Sequence, residues 1–164
     1  MTELIKIEDV AAAKKAQELA YEIWHEHYAD ILSVEQIDYM LKNQTAEEIL
    51  NHSSEGYVFY LIRLDEKDIG YTAVSYDEKL DNRALVSKLY IKSEKRGQGV
   101  GKAVMSLHSQ NAKKLGFDGL YLYVNKKNDA LFAYEKLGFK KERAVVTDIG
   151  NGFVMDDFIM SLDF

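Results

Sequence analysis

The sequence predicts a mixed α/β fold, an α+β arrangement on one mixed sheet. Three observations carry this: apolar residues recur at helical spacing near the N-terminus, β-rich stretches follow, and the middle of the chain then alternates strand, helix, strand, helix, strand. From Asp9 to Tyr28, Val10, Ala13, Ala16, Leu19, Ala20, Ile23 and Trp24 make one face of an amphipathic helix. Ser33 can cap a second short helix through Leu41, and Thr45 with Glu48 has the form of a capping box opening a third through Leu50. Tyr57–Ile62 is β-rich, Asp65–Asp68 is a polar turn and Ile69–Tyr76 is again β-rich, so the pair predicts an antiparallel hairpin. A polar stretch, Asp77–Asn82, leads into a strand over Arg83–Ile91. Then come a charged, glycine-rich loop, a helix ending near Gly116, a strand at Leu120–Val124 and a helix at Asp129–Leu137. Phe139–Val146 is a strand, Gly150-Asn151-Gly152 a turn, and Phe153–Leu162 the last strand. The right-handed crossover makes Arg83–Ile91 and Leu120–Val124 parallel neighbours.

At 164 residues the chain is sized for one domain, 1–164, since domains run to roughly 100–200 residues. It has no Cys, which excludes disulfides, thiolate nucleophiles and Cys-ligated zinc. The start, Met1 to Lys6, lacks the basic and apolar regions of a leader, and no run approaches the ~20 apolar residues of a membrane span, so the expected location is cytoplasmic. The net charge of -6 argues against nucleic acid or an anionic membrane as a general partner. The charge is unevenly placed: Lys88 to Arg143 holds thirteen Lys/Arg and five Asp/Glu, and the rest of the chain eight and twenty-two. A basic middle of net +8 thus sits between parts that sum to -14, which suggests one anionic and one cationic partner.

Arg96-Gly97-Gln98-Gly99-Val100-Gly101 lies between a strand and a helix. Glycine there lets successive N–H groups converge on an anion at a helix N-terminus. Two nucleotide loops do not fit: the dinucleotide fingerprint needs glycine where Lys102 stands, and a Walker loop needs glycine at Arg96 and Ser/Thr at Ala103. The sequence His25-Glu26-His27 is not a metal motif, because residues two apart on a helix face different ways and a His-Glu-x-x-His pair would need His at Ala29. No metal is expected.

Leu89-Tyr90-Ile91 followed by Arg96-x-x-Gly99-x-Gly101 resembles the acyl-CoA pyrophosphate motif of the GNAT N-acyltransferase superfamily. Asn128 to Phe139, ending Tyr134-Glu135-Lys136-Leu137-Gly138-Phe139, resembles its companion motif, and the order of elements fits that fold along essentially the whole chain. The resemblance implies antiparallel N-terminal strands and a central pair of parallel strands that splay apart, flanked by helices. It implies acetyl-CoA as cosubstrate. The N–H groups of Gln98 to Lys102, with Gly97, Gly99, Val100 and Gly101 shaping the loop, would bind the pyrophosphate, helped by Arg96 and Lys102. Backbone groups of Leu89, Tyr90 and Ile91 would pair with pantetheine, and Lys136 would reach the phosphate end. The interval from Asn128 to Tyr134 is one residue short of the family pattern, which leaves Asn125 and Asn128 as two candidates for the pantetheine contact.

In the same resemblance Tyr134 is the catalytic candidate, because a phenol near 10 is protonated at neutral pH and can donate to a leaving thiolate whose conjugate acid titrates near 8.5. Many relatives carry a Glu base on the strand before the glycine loop; here that strand offers the hydroxyl of Ser87, and no base is assigned. His25, His27 and Tyr28, at the end of the first helix, and Asp156, in the acidic tail, are candidate acceptor-side residues, with Glu26 beside them. Segments around Ile23–Leu41 and Gly152–Met160 resemble a bacterial subgroup that includes spermidine/spermine acetyltransferases, so a polyamine or other cationic small amine leads as acceptor, attacking directly in a ternary complex. A protein N-terminus or lysine, an aminoglycoside, and a non-catalytic acyl-CoA-binding module are the alternatives. A homodimer is compatible with the sequence.

Overall fold

The first three helices begin where a short polar side chain can satisfy a free N–H. In the computed structural model, which describes all 164 residues, Asp9 accepts from the Ala12 N–H at 2.8 Å and opens α1, Val10–His27. Ser33 and Thr45 accept from the Gln36 and Glu48 N–H groups and open α2, Val34–Leu41, and α3, Ala46–Ser54. The remaining helices are α4, Val100–Lys114, and α5, Ala130–Lys136. The strands are β1 Thr2–Lys6, β2 Tyr57–Leu64, β3 Lys67–Leu80, β4 Arg83–Ile91, β5 Gly119–Asn125, β6 Lys140–Gly150 and β7 Phe153–Asp163.

They form one sheet in the order β1-β2-β3-β4-β5-β7-β6, with β4 and β5 parallel and every other pair antiparallel. This is the mixed sheet that the alternation of elements predicts. Two segments differ from the sequence expectation. Residues 2–6 pair with β2 as an edge strand, register Thr2↔Leu64 to Lys6↔Tyr60. The polar stretch after Tyr76 is the end of β3 carrying a bulge between Ser75 and Lys79, and the reversal is confined to Asp81-Asn82, both at positive φ, as a tight two-residue hairpin requires.

Side chains alternate across the sheet, and each face has its own helices. On one, α1 to α3 bury Ile23, Trp24, Ile37 and Ile49 against Phe59, Leu61 and Tyr71. On the other, α4 and α5 bury Val104, Met105, Ala112 and Leu131 against Val74, Val86, Leu120, Leu122 and Met160. One polar group is fixed inside this second layer. Thr72 Oγ1 donates to the Lys88 carbonyl at 2.6 Å, so the ring of His108, on α4, must donate from Nε2 to that hydroxyl at 2.9 Å. Burial holds His108 down to about 4, a neutral imidazole joining α4 to the β3–β4 ladder. No helix is long and apolar enough to cross a membrane.

Candidate active site

The parallel pair at the centre of the sheet comes apart. β4 and β5 are in register only at Arg83↔Gly119, Ala84↔Leu120 and Leu85↔Tyr121; beyond that, Val86–Ile91 and Leu122–Asn125 diverge. On β4 a register shift between the Val86 and Lys88 positions leaves Ser87 outside the ladder with β3. The gap is a cavity of about 580 Å³, walled by Ser87, Leu89, Tyr90 and Ile91 on one side and by Leu122, Tyr123 and Val124 on the other. Diverging strands leave backbone donors and acceptors that only a ligand or water can satisfy.

One end of the gap is closed by the glycine loop. Gly97 and Gly99 have φ of +76 and +79, and a Cβ on either would meet nothing within 4 Å, so their α-carbons face open space. Gly99 caps α4 without a side chain, and the N–H groups from Gly97 to Lys102 find no acceptor in the protein. Free N–H groups, the positive end of a helix and the nearby Arg96, Lys102 and Lys136 together suit a polyanion such as a pyrophosphate. Arg96 is steadied by donating from Nε to the Ile91 carbonyl at 3.2 Å. Gln98 does not line the cavity; its amide turns back to the Glu94 carbonyl at 3.2 Å, leaving its backbone N–H as its contribution to the loop.

Across the gap, the end of α1 is joined to the start of α5. Asn128 Oδ1 accepts from the Ala130 N–H at 2.9 Å, which orients the amide, and His27 Nε2 donates to the same oxygen at 3.0 Å. The orientation leaves the Asn128 amide NH₂ for the cavity that the residue lines. His27 is held neutral, its pKa lowered first by burial and then by Arg96. Asn125 is used differently: its side chain accepts from the Lys127 N–H at 2.9 Å and forms the turn that presents Asn128.

Three phenols, Tyr28, Tyr90 and Tyr134, meet in the cavity wall. Burial pushes Tyr28 up to about 12, with a further push from Asp157. Burial likewise holds Tyr90 and Tyr134 well above the ordinary phenol value, and the neighbouring Tyr28 adds to both. All three keep their protons at neutral pH. Tyr134 sits near the end of α5, its ring 5.7 Å from Phe139.

Two acceptor-side candidates and one companion lie elsewhere. His25 is held between the Tyr21 carbonyl and Asp38, tying α1 to α2 outside the cavity. Asp156 is half-exposed and pairs with Lys126 at 2.6 Å. Glu26 accepts from the Ser93 hydroxyl in the short 3-10 turn Ser93–Lys95, on the glycine-loop side. The residue that the sequence does not single out is Asp157, next to Asp156 but buried, with Oδ1 lacking any hydrogen-bond partner.

Residues 11–157 match the family model described as "Acetyltransferase (GNAT) domain". A spermidine N(1)-acetyltransferase of Thermoplasma acidophilum is 31% identical over 146 residues, 85% of this chain and 86% of that one. The crystal structure of the PaiA N-acetyltransferase from Thermoplasma acidophilum in complex with coenzyme A superposes with a TM-score of 0.79 at 27% identity, covering 100% of this chain and 99% of that one. A GCN5-related N-acetyltransferase from Rhodopseudomonas palustris shares the fold, with a TM-score of 0.80 at 16% identity over 100% of this chain and 96% of that one. With its central strands parted above a glycine-capped helix and the family model matched over most of its length, this chain belongs to the GNAT acetyltransferase family and is an acyltransferase.

Proposed function

We propose that the chain acetylates a primary amine on a small cationic acceptor, with a polyamine as the leading class, and that the acceptor attacks directly in a ternary complex. The observation that carries this is the parted β4–β5 pair, whose gap holds free N–H groups at one end and three protonated phenols in its wall. The residues present fit the cosubstrate. The N–H groups of Gly97 to Lys102, with Arg96 and Lys102, would hold its phosphates, and Lys136 would add charge beside them. The unpaired edge of Leu89 to Ile91 and the amide of Asn128 would hold its pantetheine arm. Bound there, acetyl-CoA supplies an acyl group activated as a thioester. Tyr134 serves as the acid, keeping its proton until sulfur leaves and then recovering one from the newly acylated nitrogen. With no Cys in the chain, no thiol can relay the acyl group.

The acceptor approaches from the side of Tyr28 and Ser87, and the chain's net charge of -6 favours a cationic one. The 31% identity to a spermidine N(1)-acetyltransferase favours the same class. The test is thiol release from acetyl-CoA against spermidine, spermine, aminoglycosides and peptides with free N-termini. Fastest release with the polyamines is expected. Release only with peptides would replace the acceptor class, and no release with any amine would leave an acyl-CoA-binding module.

A further inference from the structure

The acceptor side lacks an assigned base, and the one buried carboxylate in the molecule has no hydrogen-bond or ion-pair partner. Asp157 is 6% exposed, its Oδ1 is sealed without a hydrogen-bond partner, and the adjacent cation, Lys126, is engaged at 2.6 Å by Asp156 instead. Buried carboxylates are normally paired, because taking the charge out of water is costly. On β7 Asp157 stands opposite Asn125 of β5, on the sheet face that also carries Tyr123, a cavity-wall residue. Across from it is the hydroxyl of Tyr28 from α1, close enough to feel its charge. Asp156 alternates to the other face, where it meets Lys126 and water.

We propose that Asp157 is the acceptor-side base: its carboxylate receives the ammonium of the incoming amine and takes the proton that must leave before the nitrogen can attack. The proposal rests on the amine-acetyltransferase reading above and names the residue it lacks. The balance is complete. The nitrogen sheds two protons, one to Asp157 and then to solvent, the other replacing the proton that Tyr134 hands to the departing sulfur, as a C–N bond forms and the C–S bond breaks. The cavity walls Ile23, Leu89 and Val124 strip water from an ammonium and so loosen its proton.

The charged and titratable groups facing Asp157 are Tyr28 from α1, Lys126 from the turn after β5 and Asp156 on its own strand. Burial first and Asp156 second push Asp157 up to about 6, against the pull of Lys126. The carboxylate is therefore charged at neutral pH and protonated, and useless as a base, below about pH 6.

Asp157→Asn keeps the shape and removes the base. Its kcat/KM for spermidine is expected to fall about 10²–10⁴-fold, the span for losing a positioned general base, and the acid limb near pH 6 to vanish. Calorimetry of spermidine binding to the coenzyme A-loaded protein, which needs no turnover, should show affinity reduced about 10–100-fold, the range for one hydrogen bond to a charged group. Asp157→Glu, which retains a carboxylate, restores the acid limb and covers the case in which the Asn variant does not fold. An Asn variant that keeps the acid limb and binds spermidine as the wild type does overturns the proposal while leaving the acetyltransferase reading intact. A wild type that acetylates no amine overturns both.

Discussion

The two sides of the parted strands are built by different means. The side proposed for the cosubstrate is made of backbone: two glycines in the left-handed region, a helix capped without a side chain, and a strand edge stripped of its partner. The acceptor side that we propose is made of side chains from the end of α1, β4, β5 and β7: Tyr28, Ser87 and Tyr123 in the cavity wall, and Asp157 beside Tyr28. A backbone site is contiguous in sequence and serves one ligand that never changes. A side-chain site is assembled from distant positions, so it can be altered one residue at a time without disturbing the first. The chain therefore carries a fixed half and an adjustable half, divided by the line where β4 leaves β5.

Substitutions on the two halves test that division. After Asp157→Asn, the largest effect is expected for Tyr134→Phe, with kcat lowered about 10²–10⁴-fold and acetyl-CoA affinity held, since the proposed role of the phenol is confined to the reacting atoms. Because burial raises Tyr134, wild-type activity should show no alkaline loss through the ordinary phenol range; a loss near pH 10 that the Phe variant lacks would show the hydroxyl ionising in place. Gly99→Ala forces an L side chain to φ +79 at a cost of roughly 1–2 kcal/mol, so the KM for acetyl-CoA should rise about tenfold with the spermidine KM little changed. Equal rises in both would erase the division.

His27→Ala removes one of the two donors on Asn128 Oδ1, worth about 0.5–1.5 kcal/mol, and should weaken coenzyme A binding roughly 2–10-fold by calorimetry. Lys126→Ala breaks a partly exposed ion pair and should move stability by at most about 1 kcal/mol. Its sharper readout is pH: Lys126 lowers the Asp157 pKa, so without it Asp157 holds its proton to higher pH and the acid limb moves upward. A limb that stays put would place the titrating base elsewhere.

The glycine loop was legible because its requirement is local. A glycine at positive φ before a helix announces itself in the chain, and Gly97 and Gly99 do so between a strand and a helix. The helix starts were legible for the same reason, each cap lying three residues from the N–H it satisfies. Asp157 was not. Asp156 and Asp157 are identical neighbours in sequence, and which of them is buried depends on β7 pairing with both β5 and β6 and on α1 ending at Tyr28. His25 and His27 divide in the same way: one turns to α2 and the other to Asn128. The first strand escaped notice because five residues of mixed polarity carry little pattern until an edge of β2 stands beside them.

The neutral imidazole between α4 and the central strands has a mechanical meaning. α4 begins at the anion-binding loop, and at His108 it is bolted through Thr72 to the carbonyl of Lys88, next to the bulged Ser87. One helix and two hydrogen bonds thus join the glycine loop to the bulge, so binding at the loop is expected to stiffen the bulge. Amide exchange of β3 and β4 should slow when coenzyme A binds, and His108→Leu should lessen that slowing while leaving the glycine loop in place.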